Sequence, residues 1–157
     1  MRIKELKPGD ISTFSKIAKE IINGCSHYDK NTKKEELSVY SEKFLHENRK
    51  AAKNVYFLVF EGKEVIGFCH GYFDSGTFWL NWLGILPAFR RQGKAAEVLK
   101  FLESYLLDRG VHKIWFDTIV TNKESIKFFQ KHGYHKFTTL RNHWCGFDYF
   151  LWEKFLK

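Results

Sequence analysis

The 157-residue sequence predicts one mixed α/β domain whose elements run β-α-α-β-β-β-α-β-α-β-β. Three observations carry this prediction. Runs rich in β-branched and aromatic residues recur between Val55 and Ile85 and again from Lys113 to Val120, which is strand composition. Apolar residues spaced three and four apart mark helices between and beside them, as at Val98, Leu99, Leu102, Tyr105 and Leu106,. Glycine- and proline-bearing turns separate the two kinds of segment, and no linker, repeat or low-complexity stretch interrupts them. A chain of this length can bury a substantial single core, so residues 1–157 are read as one domain,.

Each element has a local reason. Ile3 to Leu6 reads as a first strand, ended by Pro8-Gly9. Asp10 or Ser12 is placed to cap a helix through Ile17, Ile21 and Ile22, which Asn23-Gly24 ends,. Cys25 to Asn31 is a polar loop containing His27, Tyr28 and Asp29. Thr32 and Glu35 are spaced as a capping box opening a second helix towards Asn48,. Val55 to Phe60 and Val65 to Phe73 are strands joined by the turn Glu61-Gly62-Lys63, and Asp74-Ser75-Gly76 leads into a third, Phe78 to Ile85,. The helix from Ala95 to Asp108 ends at Gly110. After strand Lys113 to Val120, Thr121 with Glu124, or Asn122 alone, caps a short helix that presents Ile126 and Phe129 on one face,. Gly133 is placed to stop that helix in a left-handed turn,. His135 to Arg141 and Phe147 to Leu151 close the chain as strands.

Residues 82–96 carry the most chemical information. An apolar run ends at Pro87, the turn Arg90-Arg91-Gln92-Gly93-Lys94 follows, and a helix pattern starts at Ala95. A strand, a basic glycine-bearing turn and a helix start suggest a phosphate cradle, because the first N–H groups of a helix lack internal partners. Gly93 allows a tight turn and a close ligand approach,.

The spacing Arg90-x-x-Gly93-x-Ala95 resembles the coenzyme A loop of the GNAT acetyltransferase superfamily. A second stretch, Asn122, Ile126, Phe128-Phe129 and Lys131-x-Gly133-Tyr134, resembles the segment that follows it in that family. The resemblance is clear over residues 54–157, and rests on helix pattern alone before them. It implies a central, mixed, largely antiparallel sheet of about seven strands flanked by four helices, in which two parallel strands splay to hold coenzyme A. It also implies an acetyl-CoA-dependent N-acetyltransferase acting by direct attack of a primary amine in a ternary complex. No activated nucleophilic cysteine stands out, and Cys69 and Cys145 read as packing residues,.

Site residues follow from the same resemblance. Backbone groups of Leu83, Gly84 and Ile85 would pair with the pantetheine arm, with the Ile85 N–H as oxyanion donor and Gly84 as the place for a bulge that opens the strand. Residues 91–96 (Arg91, Gln92, Gly93, Lys94, Ala95, Ala96) would offer N–H groups to the pyrophosphate, with Arg90, Arg91 and Lys94 adding charge. Asn122 would bond the pantetheine or order the exit of the second splayed strand; as a plain helix cap it needs no ligand. Phe129 stands where many family members place a proton-donating Tyr. The thiolate would then take its proton from another Tyr or a water, or leave unassisted, which a thiol pKa of roughly 8.5 tolerates. The strand before the phosphate loop carries Trp79, Asn81 and Leu83 and no carboxylate, so Asp117 is the expected base, its alternative being a solvated strand position,. Arg141-Asn142-His143-Trp144 is similar to a motif of protein N-terminal acetyltransferases, with a faint likeness to the ribosomal-protein alanine enzymes. His143, Trp144 and Tyr28 are therefore acceptor-site candidates.

Composition narrows the alternatives. Net charge is +8, with 26 basic and 18 acidic residues, which favours an anionic partner such as a phosphate-bearing coenzyme,. The basic residues are dispersed rather than aligned in a stripe, and no nucleic-acid motif occurs, so nucleic acid is not expected as a partner,. No run of about 18 apolar residues and no apolar leader core occur, so no membrane partner is expected,. Three widely spaced cysteines argue against a disulfide framework and for the cytoplasm,. His132, His135, His143 and Cys145 match no zinc spacing, and no metal is expected,. Family resemblance implies that a homodimer is common. Aromatics form 18% of the chain and suit a core and an acceptor pocket of either size, so the acyl length and the amine stay open,. A catalytically silent acyl-CoA sensor of the same fold is the rival function.

Overall fold

The computed structural model describes residues 1–51 and 53–157. Seven strands form one sheet: β1 (Arg2–Glu5), β2 (Asn54–Glu61), β3 (Glu64–Asp74), β4 (Thr77–Ile85), β5 (Lys113–Ile119), β6 (His135–Leu140) and β7 (Tyr149–Phe155), in the spatial order β1-β2-β3-β4-β5-β7-β6. Every neighbouring pair is antiparallel except β4 and β5. The helices are α1 (Ile11–Asn23), α2 (Lys30–Ser38), α3 (Glu42–Asn48), α4 (Lys94–Leu107) and α5 (Lys123–Lys131).

The expected mixed, largely antiparallel sheet is thus present, with one more helix than the sequence suggested. The single helix expected from Thr32 to Asn48 is two. Tyr40 turns inward at the break, 2% exposed, packs on Phe14 and Phe68, and places its hydroxyl 2.8 Å from His70 Nδ1. Ser41 then caps α3 by accepting from the Phe44 N–H. A buried ring with a buried polar partner outweighs continuing a helix that is polar on nearly every side. The α2 cap is Asp29, which accepts from the Thr32 N–H at 2.8 Å, rather than Thr32 itself. Asp10 does stand before α1, but its carboxylate accepts from the Lys7 N–H and Lys4 Nζ and closes the preceding turn. The last strand lies further along than expected, at Tyr149–Phe155.

Two cores lie on opposite faces of the sheet. One joins Val55, Phe57, Val59, Phe78, Leu80, Ile85 and Phe116 to Val98, Leu99, Leu102 and Leu106 of α4 and to Phe129 of α5. The other joins Tyr56, Leu58 and Phe68 to Ile11, Phe14, Ile17, Ile21 and Ile22 of α1, Tyr40, and Leu45 of α3. Aromatic rings dominate both, and edge-to-face pairs such as Phe14 with Tyr56, 5.6 Å between centroids, fix their orientation,.

Candidate active site

The site begins where β4 and β5 part. Their parallel ladder is three residues long, Thr77↔Lys113 to Trp79↔Trp115, and ends there although both strands continue. β5 remains paired to β7 through Ile119, and β4 remains paired to β3 through Ile85. Two parallel strands thus diverge with their facing edges free.

Which groups face the gap follows from the outer ladders, because the N–H and C=O of one extended residue point to the same edge. The Leu86 N–H donates to Ile66 O on β3's side, so Leu86 and Gly84 turn towards β3, while Leu83 and Ile85 turn towards the gap. Arg90 Nε reaches the Ile85 carbonyl on that open side at 2.9 Å. Across the gap, the Val120 N–H donates to Asp148 O, so Thr118 turns towards β7 and Asp117 and Ile119 turn towards the gap. Of the three residues expected to pair with the pantetheine arm, Leu83 and Ile85 turn their peptide groups to the gap and Gly84 turns its own to β3. Gly84 is also not the bulge. The register slips between His70 and Gly71, which oppose Trp82 and Leu80, so the extra residue of β4 is Asn81. Gly84 instead lets α1 approach: a Cβ there would lie 2.8 Å from Ile21 Cγ2.

The bulge reverses the face read by alternation. Leu80 and Leu83 both pack on the α4 core, whereas Trp82 packs on the α1 core with its ring 6.0 Å from Phe68. The residue that β4 presents beside α1 and α2 is thus Trp82, rather than the alternating set Trp79, Asn81 and Leu83.

Beyond β4, the turn into α4 is a backbone device. Arg91 and Gly93 both have positive φ, 59° and 78°. Left-handed residues in such a turn gather successive N–H groups into an anion-binding concavity, and the unpartnered N–H groups of the first turn of α4 continue it. Gly93 is the N-cap of α4, and a Cβ added there would meet no atom within 4 Å. The basic side chains are engaged elsewhere. Arg90 holds the Ile85 carbonyl, Arg91 Nη2 pairs with Glu124 Oε1 at 2.7 Å, and Lys94 Nζ pairs with Glu61 Oε2 at 2.9 Å. Gln92 Nε2 donates to Ala88 O. Lys94, Ala95 and Ala96 therefore offer backbone N–H groups.

On the α1 and α2 face, Asp117 lies beside the gap, and its Oδ2 accepts from Trp144 Nε1 at 2.8 Å. Burial pushes the Asp117 carboxyl above the usual carboxylate range; the indole hydrogen bond and the nearby His143 draw it part of the way back. Trp144 projects from a tight turn, Trp144–Gly146, flanked by Asn142 at φ 45° and containing Cys145 at φ 53°. Non-glycine residues at positive φ persist only where their surroundings hold them; here the Asn142 N–H donates to Asp148 and the His143 N–H to Phe147 O. The sequence-predicted Asp117, Trp144 and His143 come together, and Tyr28 joins them from the loop before α2, its ring edge-on to Trp82 at 6.0 Å.

Three residues of this chamber escaped the sequence reading. Glu36 of α2 accepts from Trp82 Nε1 at 2.7 Å. Its carboxyl is raised by burial and further by the charge of Asp117, against the pull of the Trp82 hydrogen bond. Trp82 was hidden by the bulge. Tyr149, 3% exposed, lies on β7 opposite Ile119, two residues from the partner of Asp117. Its hydroxyl is raised by burial and by the charges of Asp117 and Glu36. Among the described residues, Glu36 had no sequence signal, being one polar residue in a polar helix.

On the other face, Asn122 caps α5 by accepting from the Ser125 N–H at 3.1 Å, the alternative cap rather than the Thr121 box. Phe129 is 8% exposed and packs 4.1 Å from Phe116, backing β5 from the core side. The neighbouring phenol, Tyr134, donates to Glu103.

Among the described residues, one splayed parallel pair, followed by a left-handed turn into a helix at the end of its first strand, defines an acetyltransferase-type fold. The profile of the acetyltransferase (GNAT) family matches residues 19–134, and the chain belongs to that family. A search of curated proteins gives no match. Solved structures resemble it over nearly their whole lengths. They include PaiA N-acetyltransferase from Thermoplasma acidophilum in complex with coenzyme A, with TM-score 0.81, 19% identity, and 98% of each chain covered. The ribosomal-protein-S18-alanine N-acetyltransferase of Escherichia coli gives a TM-score of 0.78 at 19% identity, covering 99% of this chain and 94% of that one. An N-acetyltransferase from Staphylococcus aureus Mu50 gives 0.74 at 21% identity, with coverage of 99% and 98%. No helix among the described residues is long and apolar enough to cross a membrane.

Proposed function

We propose that this chain transfers an acetyl group from acetyl-CoA to a primary amine, by direct attack with both substrates bound. One observation carries the reading: the β4–β5 ladder stops at Trp79↔Trp115, leaving Leu83 and Ile85 with peptide groups facing an open gap. The residues fit the coenzyme. Leu83 and Ile85 would pair with the pantetheine arm as a strand would. The left-handed turn at Arg91 and Gly93 and the N–H groups of 94–96 would hold the pyrophosphate, with space above Gly93 for it,. Bound there, acetyl-CoA supplies an activated acyl group as a thioester.

The chain's own groups then do three things. The Ile85 N–H, fixed in direction by the Arg90 bond to the same residue's carbonyl, donates to the acyl oxygen,. Asp117 accepts the proton that the ammonium of the acceptor must lose before it can attack; the raised carboxyl brings donor and acceptor closer in basicity,. Tyr28, Trp82 and Tyr149 line the acceptor side, with Trp144, 56% exposed, at its rim. Phe129 has no proton to give, so the thiolate leaves unassisted or is protonated by solvent; this same residue favours the second reading, a silent acyl-CoA sensor. Three free thiols, Cys25, Cys69 and Cys145, suit a cytoplasmic setting,.

Calorimetric titration with acetyl-CoA, followed by thiol release against a panel of amines, tests the assignment. Binding with amine-dependent release is the expected result, and Asp117→Asn should lower kcat at least tenfold while still binding acetyl-CoA. Binding without release for any amine would select the sensor, and absence of binding would overturn both.

A further inference from the structure

We propose that the acceptor is a small diamine, with Asp117 facing the ammonium that reacts and Glu36 holding the one that does not. The inference rests on the acetyltransferase reading and adds the substrate class. Its starting point is an imbalance of charge. The protein carries a net charge of +8, and the partly buried carboxylates of Asp10, Glu103 and Glu153 are paired with Lys4, Lys154 and Lys113. Among the described residues, Glu36 and Asp117 form no ion pair. Each is given a neutral indole N–H instead, from Trp82 and from Trp144.

An indole hydrogen bond offsets only part of what a carboxylate loses on leaving water, and the second carboxylate of like sign adds to the cost. The walls are what a cation seeks. Trp82 and Tyr28 stand edge to face beside Glu36, and Trp144 stands at Asp117; aromatic faces attract ammonium groups most strongly where water is thin. A third group lies beside them: the ring of Tyr149 is buried, and its hydroxyl is near enough to both carboxylates to be raised by their charge.

One charge on the acceptor would not suffice. To attack, the reacting amine gives its proton to Asp117, which leaves both neutral. Glu36 then faces a neutral amine, and after acyl transfer a neutral amide. A second ammonium keeps Glu36 paired throughout the cycle. The α2 helix, which carries Glu36, packs close to the Trp144–Gly146 turn, and the charge of Asp117 reaches Glu36, so the two carboxylates face one site rather than separate surfaces.

The test compares 1,3-diaminopropane, 1,4-diaminobutane and 1,5-diaminopentane with the monoamines of the same chain length, using thiol release from acetyl-CoA. For at least one length, kcat/KM for the diamine should exceed that for the monoamine by tenfold or more. Glu36→Gln, whose side-chain oxygen can still accept from Trp82, should bring that ratio close to one, and Glu36→Asp should restore part of it. A ratio near one in the unaltered protein, or an unchanged ratio in Glu36→Gln, overturns the proposal. If no amine supports release, binding decides: with coenzyme A present, calorimetry should show tighter binding of a diamine than of its monoamine, and equal binding overturns the proposal. Failure to bind acetyl-CoA would sink the acetyltransferase reading, whereas acetyl-CoA binding with equal use of both amine series would sink the diamine alone.

Discussion

Replacing Gly93 separates the fold's need for this residue from the coenzyme's. Gly93 has φ 78° and caps α4, and an added Cβ meets nothing within 4 Å. Gly93→Ala therefore costs the fold no contact. It costs about 1–2 kcal/mol for holding an L-residue in the left-handed region, offset by ~0.4–1 kcal/mol from the stiffer unfolded chain. The net loss is about 1 kcal/mol, or roughly 2–4 °C in Tm for a chain of this size. If the open space above Gly93 is where the pyrophosphate sits, the same methyl stands against the ligand, and affinity for acetyl-CoA should fall at least tenfold, about 1.4 kcal/mol. Gly93→Asn sharpens the test, because Asn tolerates positive φ better than Ala yet is larger. Stability should rank Gly, Asn, Ala, while affinity should rank Gly, Ala, Asn. Thermal unfolding without ligand gives the first order and calorimetric titration the second. Identical rankings would mean that binding merely follows folding, and unchanged affinity in either variant would remove the pyrophosphate from this turn.

Three further outcomes follow from the same geometry. Burial lowers the His70 imidazole to about 3, so the stability its neutral form contributes is complete above the unfolded value near 6.5 and is lost as pH falls from there towards 3, at about 1.4 kcal/mol per unit. Between pH 7 and pH 5, urea unfolding should show the unaltered protein losing about 2 kcal/mol more than His70→Gln; equal losses would contradict the burial argument. Trp144→Phe removes the hydrogen bond that draws the Asp117 carboxyl downward, so the acid limb of kcat/KM against pH should move to higher pH, and a limb that stays or moves down would exclude Asp117 as the base. Gly84→Ala drives a methyl to 2.8 Å from Ile21 Cγ2 in a buried contact and should destabilise by about 1–3 kcal/mol, read from urea unfolding; a loss under about 0.5 kcal/mol would mean that α1 is free to shift.

The sequence reveals what local chemistry controls. Gly133 takes the left-handed turn expected of it, with φ 80°, and Gly93, expected in a tight turn, has φ 78°. Asn122 caps α5 because a short side-chain oxygen reaches the Ser125 N–H wherever the helix starts,. The strand-turn-helix order around the phosphate loop is legible for the same reason. What depends on distant residues was not. The break at Tyr40 arises because the core between α1 and β3 accepts a ring and His70 accepts its hydroxyl, neither of which neighbours it in sequence. The Asn81 bulge leaves no mark in composition, since Trp-Leu-Asn-Trp-Leu alternates no worse than an ordinary strand. Missing the bulge misassigned the inward face, which hid Trp82 and, with it, Glu36.

These two kinds of legibility correspond to the two halves of the site. The proposed coenzyme half consists mainly of peptide N–H groups, in the gap and in the turn before α4, and almost any side chain can supply an N–H. Only φ restricts the choice, at Gly93 above all. Strand order and one glycine are therefore what the sequence shows of this proposed half. The proposed acceptor half draws side chains from five places: Tyr28 in a loop, Glu36 on α2, Trp82 on β4, Asp117 on β5 and Trp144 in the last turn. Each can change without disturbing the sheet, so similarity of fold carries no information about the amine. On the proposed reading their joint chemistry does: two carboxylates that form no ion pair among the described residues, lined by indoles and phenols, would select for positive charge and against a large apolar acceptor. The bulge at Asn81 connects the halves. By shifting β4 half a period, it turns Trp82 towards α2 while leaving Leu83 and Ile85 in register with the gap, so on the proposed reading one strand would serve the coenzyme through its backbone and the acceptor through a side chain.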